Sequence, residues 1–114
     1  MLSRDDIEAL QKTFGDLYSK LNSAYWAAST EGKDKIQGAI DVVNGILDQL
    51  NKAGLESDND AIQELTNSLQ GVNQNLADLR KQLDQIVHDI KVVTDVVGAI
   101  DQALSAAGKV IAAV

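Results

Sequence analysis

The sequence predicts an all-α protein built as a long antiparallel helical hairpin. Apolar residues recur at steps of three and four along almost the whole chain, which is the spacing of one helix face. The chain contains no proline, so no helix interior is forced to break. Its 114 residues fit one domain, and a 45% hydrophobic content is typical of a folded chain. We therefore expect one helical domain over residues 1–114.

The first arm of the hairpin is predicted over about residues 4–53. Ser3 is the expected N-cap, and apolar residues then follow at coiled-coil spacing. Eight residues separate Ala28 from Ile36, where a heptad repeat needs seven, so the apolar face slips between them. Ser29 is a capping residue type and Gly32 favours a break. The first arm is therefore expected to be kinked or broken near 29–33, as one bent helix or as two.

The second arm is predicted over about residues 58–113, after a turn at about 54–57. Gly54 suits the end of one helix, and Ser57 or Asp58 suits the cap of the next. From Ile62 to Val114, sixteen apolar residues occupy every a and d position of a heptad repeat. The two arms would measure about 75 and 85 Å as continuous helices. Arms of such similar length favour the hairpin over its alternative, a compact three- or four-helix bundle, which requires a break in the second arm.

The apolar face widens toward the C-terminus. Val87, Val96, Ala103 and Val110 join the a and d positions from the flanking e and g positions. A wider apolar face indicates more than one neighbouring helix. We therefore expect the hairpin to assemble into a four-helix bundle with a second copy or with a helical partner, and Val87, Val96 and Val110 are the candidate contact residues.

Three aromatic residues of the first arm are further candidates for an interface. Tyr18 and Tyr25 fall at e positions, beside the apolar face. Trp26 falls at an f position, which points away from that face unless the slip after Ala28 rotates it inward. Because tryptophan is enriched at binding hot spots, either orientation predicts an interface role for Trp26.

The composition argues against most site chemistry. The absence of cysteine excludes thiol catalysis, thiolate metal sites and disulfides. The net charge of −7 argues against nucleic acid as a partner. The single histidine, His88, falls at an f position four residues after Asp84, and two ligands do not make a structural metal site. The expectation is a protein without enzymatic activity, metal or cofactor.

In size and predicted architecture, the chain resembles the small helical hairpins of the secreted W-x-G family. The segment Trp26-Ala27-Ala28 has alanine where that family has glycine, and it lies inside an arm and not at the turn. The resemblance therefore implies no particular residue role or partner for this chain.

These observations together predict a non-enzymatic helical scaffold, adaptor or secretion-associated subunit. It would act through coiled-coil self-association or by binding a helical protein. The alternative function is a membrane-acting toxin or toxin component that uses the C-terminal arm. The first ten residues lack the apolar stretch of a secretory signal, so the expected location is the cytoplasm, or the exterior without a cleaved signal peptide.

Overall fold

The computed structural model describes residues 4–56 and 59–113, and these residues form four α-helices. They are α1 (Arg4–Ala27), α2 (Thr30–Glu56), α3 (Asn59–Ile86) and α4 (Ile90–Ala113). Each helix packs against two others in a ring, with α1 against α2 and α4, and α3 against α2 and α4. The short connections make neighbouring helices antiparallel. The result is an up-down-up-down bundle that measures 42 × 19 × 19 Å.

All four helices contribute to the core of the bundle, and on α1 and α3 the core residues are the apolar positions that the spacing predicts. On each of these helices, the buried residues recur at steps of three and four along one face. Full burial of a large apolar side chain contributes about 1.5–3 kcal/mol. The largest fully buried side chains come from all four helices: Leu10, Phe14, Leu17, Leu21, Ile36, Ile46, Leu50, Leu65, Leu69, Leu76, Leu83 and Ile100.

The all-α class, the four-helix bundle and the break in the first arm are confirmed. The break lies at Ala28 and Ser29, between α1 and α2. Ser29 caps α2, because its hydroxyl oxygen accepts a hydrogen bond from the Gly32 backbone N–H at 3.1 Å.

The expected continuous second arm is wrong. The helix stops at Ile86 and resumes at Ile90, and residues 87–89 reverse the chain direction. Asp89 caps α4, since its Oδ1 accepts from the backbone N–H groups of Lys91 at 3.0 Å and Val92 at 3.3 Å. The reversal lets α4 bury its apolar face on α1 and α3 of the same chain. The compact bundle, which was the alternative, is therefore the observed form.

The turn between α2 and α3 lies slightly later than predicted. The first arm continues through Gly54, and α2 ends at Glu56. The expected caps Ser57 and Asp58, like Ser3, lie outside the described residues.

The two other turns contact each other at one end of the bundle. The Ser29 N–H donates to the Ile86 carbonyl oxygen at 2.9 Å, and Ala28 and Val87 form an antiparallel bridge. Gly32 lies directly against this contact. A Cβ atom at position 32 would come within 2.7 Å of the Ile86 Cβ and 2.9 Å of the Ile86 carbonyl oxygen. The approach of the turns therefore requires glycine at this position.

We expect Gly32→Ala to destabilise the bundle by about 1–3 kcal/mol, because the new methyl group would push the two turns apart. Gly45→Ala is the matched control on the same helix, since a Cβ there meets nothing within 4 Å. The control should raise stability by about 0.5–1 kcal/mol through helix propensity alone. Urea unfolding followed by circular dichroism measures both changes. Equal effects of the two substitutions would show that the turns do not approach as described.

Candidate interaction surface

The end of the bundle formed by the turns at residues 28–29 and 87–89 carries the exposed apolar side chains. We call it the loop end. Trp26 is 78% exposed and Ile90 is 83% exposed. Among the described residues, they are the large hydrophobic side chains that lie mostly in solvent. Because α1 ends and α4 begins at this end, Trp26 and Ile90 lie at the same end of the bundle.

Trp26 is held in place by an aromatic neighbour and a lysine. The rings of Tyr25 and Trp26 meet edge to face, with centroids 5.2 Å apart. Lys33, on the first turn of α2, places its Nζ 5.6 Å from the Tyr25 ring centroid and 5.7 Å from the Trp26 centroid. Such contacts each contribute about 0.5–1 kcal/mol at exposed sites. The Trp26 ring is thus oriented in solvent without being covered.

Ile90 opens α4 directly after the capping residue Asp89. Lys91 follows it and is exposed. Among the described residues, no carboxylate forms an ion pair with Lys33 or Lys91. The loop end therefore combines two uncovered apolar side chains with two lysines, on a protein whose net charge is −7.

The predicted interface residues divide into three groups in the structure. Trp26 is exposed, and Tyr18 and Tyr25 lie half-buried against the core. Val87, Val96 and Val110 are 2%, 1% and 6% exposed. Their expected contact with a second chain is corrected here, because α4 folds back and the helices of the same chain cover all three valines. Ile90 belongs to the heptad pattern, which predicts its burial, so no separate sequence signal indicates its exposure.

The structure places His88 and Asp84 on the surface, as the heptad positions predict. In residues 4–56 and 59–113, no group of three or more histidine, aspartate or glutamate side chains is arranged to hold a metal ion. An open groove between α1 and α4 has a mainly apolar lining, with the polar side chains of Thr13, Asp101 and Lys109 along it. Asp101 is engaged by Arg80 of α3, whose Nε donates to Oδ1 at 2.8 Å.

No helix in the part of the chain that the structure describes is long and apolar enough to cross a membrane. Comparisons with models of protein families, with curated protein sequences and with solved structures find no match.

We expect Val96→Glu to unfold the bundle within a single chain. A carboxylate at this buried position faces apolar neighbours, and its desolvation costs several kcal/mol. Gln102→Glu, on the exposed side of the same helix, is the control and should change stability by less than about 0.5 kcal/mol. Thermal unfolding at several protein concentrations measures the effect. If Val96→Glu lowers the stability at high protein concentration but not at low concentration, Val96 contacts a second chain.

Proposed function

We propose that the protein is a non-enzymatic helical scaffold subunit that associates with a second copy of itself through the loop end. The exposure of Trp26 and Ile90 at one end of the bundle carries this proposal. Single exposed apolar side chains are ordinary, but a tryptophan together with a large aliphatic residue at one end of a bundle is typical of a binding surface.

The contacts of the Trp26 ring support association. Trp26 is oriented by Tyr25 and Lys33, and Ile90 follows a capped helix start. Ordered side chains lose less conformational entropy on binding than flexible ones. A partner would therefore meet a surface that is already arranged.

The net charge predicts how salt affects the association. Two copies with a net charge of −7 repel each other, and this repulsion is screened by salt. The loop end itself carries both signs of charge, since Lys33 and Lys91 follow Glu31 and Asp89 closely in the sequence. We expect the association to strengthen when the ionic strength rises.

The membrane-acting alternative would uncover the core of the bundle. The apolar side of α4 is packed against α1 and α3, with Val96, Ile100 and Ala103 each at most 1% exposed. Contact of this side with lipid would require α4 to leave the bundle, and it would expose the apolar faces of α1 and α3 to water. We therefore favour association with protein, and lipid binding is an outcome that the experiment distinguishes.

We expect the doubly substituted variant Trp26→Ser with Ile90→Ser to stay monomeric at concentrations where the wild type dimerises. Both side chains are exposed, so the substitutions should leave the helix content unchanged by circular dichroism. Sedimentation velocity measures the mass. Since Trp26 is the only tryptophan, its emission should also shift to shorter wavelength as the wild type associates.

The matched control replaces Asn22 and Gln102 by serine, which are exposed on the same two helices. It should dimerise like the wild type. A wild type that remains monomeric up to millimolar concentration in high salt contradicts self-association. If that monomer also sediments with vesicles of phosphatidylcholine and phosphatidylglycerol, the membrane-acting function is favoured instead.

A further inference from the structure

The apolar repeat of α3 continues without interruption through the turn into α4, although the helix itself ends at Ile86 and a new helix begins at Ile90. Leu83, Ile86, Ile90 and Val93 follow at steps of three, four and three, so the turn keeps the heptad register. The three residues of the turn are Val87, His88 and Asp89, and none is glycine or proline. Nothing in this segment prevents it from forming a helix.

Helical hydrogen bonding reaches into the turn from both sides. The Val87 N–H donates to the Leu83 carbonyl oxygen at 2.9 Å, and the Val93 N–H donates to the Asp89 carbonyl oxygen at 3.0 Å. Both bonds have the four-residue spacing of an α-helix. Only a few backbone groups between them would need to form new bonds for α3 and α4 to become one helix.

The a positions of α4 are less buried than those of α3. Leu69, Leu76 and Leu83 are a residues of α3 and are all 0% exposed. The next a residue, Ile90, is 83% exposed. The later a residues of α4 are only partly buried: Val97, Leu104 and Ile111. The residues of α4 that the bundle buries are the d residues Ile100 and Ala107 and their neighbours Val96, Ala99, Ala103 and Val110.

We infer that α3 and α4 join into one continuous helix when two copies associate, so that each copy's α4 packs in the other's bundle. This inference deepens the proposed self-association and rests on it. An α4 helix that leaves its own bundle exposes the buried faces of α1 and α3, and an identical α4 is the helix that fits the vacated position. Straightening also returns Ile90 to the apolar seam of a continuous heptad repeat.

The geometry of the loop end agrees with this exchange. A helix that continues α3 past Ile86 extends beyond the loop end, so the second bundle must stack against that end. Trp26 lies there, and the stacking would cover it together with Ile90. The two exposed apolar side chains are therefore explained by one arrangement.

Three contacts stabilise the closed bundle of a single chain relative to the exchanged dimer. The Ser29 N–H bonds to the Ile86 carbonyl oxygen, Ala28 pairs with Val87, and Asp89 caps α4. The cap is the one contact that a side-chain substitution removes cleanly. Asp89→Ala should therefore shift the equilibrium toward the exchanged dimer, whereas Asp89→Asn keeps a capping side chain and should not.

The exchange is tested by measuring one distance within a single chain. The protein has no cysteine, so Gln74→Cys with Lys109→Cys places spin labels on exposed sites of α3 and α4 alone. In the closed bundle, these sites lie on adjacent helices whose axes are about 8–10 Å apart, and the labels should be within about 25 Å. In a continuous helix, 35 residues separate them by about 52 Å. Dilution with an excess of unlabelled protein removes distances between chains.

We expect the population of molecules with a label distance of about 52 Å to grow with protein concentration, in parallel with the fraction of dimer. Asp89→Ala should raise the dimer association constant by about an order of magnitude, because each of the two chains no longer loses a cap on opening. Insertion of Gly-Ser-Gly between His88 and Asp89 should reduce the long-distance population severalfold, since glycine disfavours the continuous helix.

Two outcomes overturn the inference. A dimer that shows only the short distance, in the wild type and in Asp89→Ala, means that intact bundles associate, and the proposed self-association then stands without exchange. A protein that remains monomeric at every concentration contradicts both the self-association and the exchange.

Discussion

The contact between the two turns at residues 28–29 and 87–89 is the constraint on which the closed bundle depends. Each turn reverses one half of a chain whose apolar pattern would otherwise support a long arm. The Ser29 to Ile86 hydrogen bond and the close approach of Gly32 hold the turns together. With both arms folded back, four helices of similar length form a ring and bury a common core.

The same contact determines which side chains remain uncovered. The chain reversal after Ile86 removes Ile90 from the apolar face that continues from α3. The end of α1 beside the turn leaves Trp26 on the surface, where Tyr25 and Lys33 orient its ring. The surface that we propose for association is thus a consequence of how the bundle closes, and the stability of the closed turns and the availability of the loop end are linked.

Much of the fold follows from residue spacing. The steps of three and four predict the buried faces of α1 and α3, and Ser29 and Gly32 mark the first break through their capping and backbone properties. The exposure of His88 also follows from its heptad position. These features depend on local chemistry, which a single sequence contains.

The second break and the orientation of α4 could not be predicted in the same way. Val87, His88 and Asp89 include no helix breaker, and Asp89 acts as a cap only once the chain has reversed. The reversal is stabilised by packing of α4 on α1 and α3, which is a contact between distant segments. For the same reason, the sequence assigned Val87, Val96 and Val110 to a second chain, and Ile90 to the core.

The shape of the isolated chain in solution tests the central claim most directly. Small-angle X-ray scattering at the lowest workable protein concentration measures the maximum dimension and the radius of gyration. The closed bundle predicts a particle close to 42 Å long, with a Cα radius of gyration of 14.1 Å. An unbroken second arm would be about 85 Å long. A maximum dimension of that size, for a particle of monomeric mass, would contradict the closed bundle.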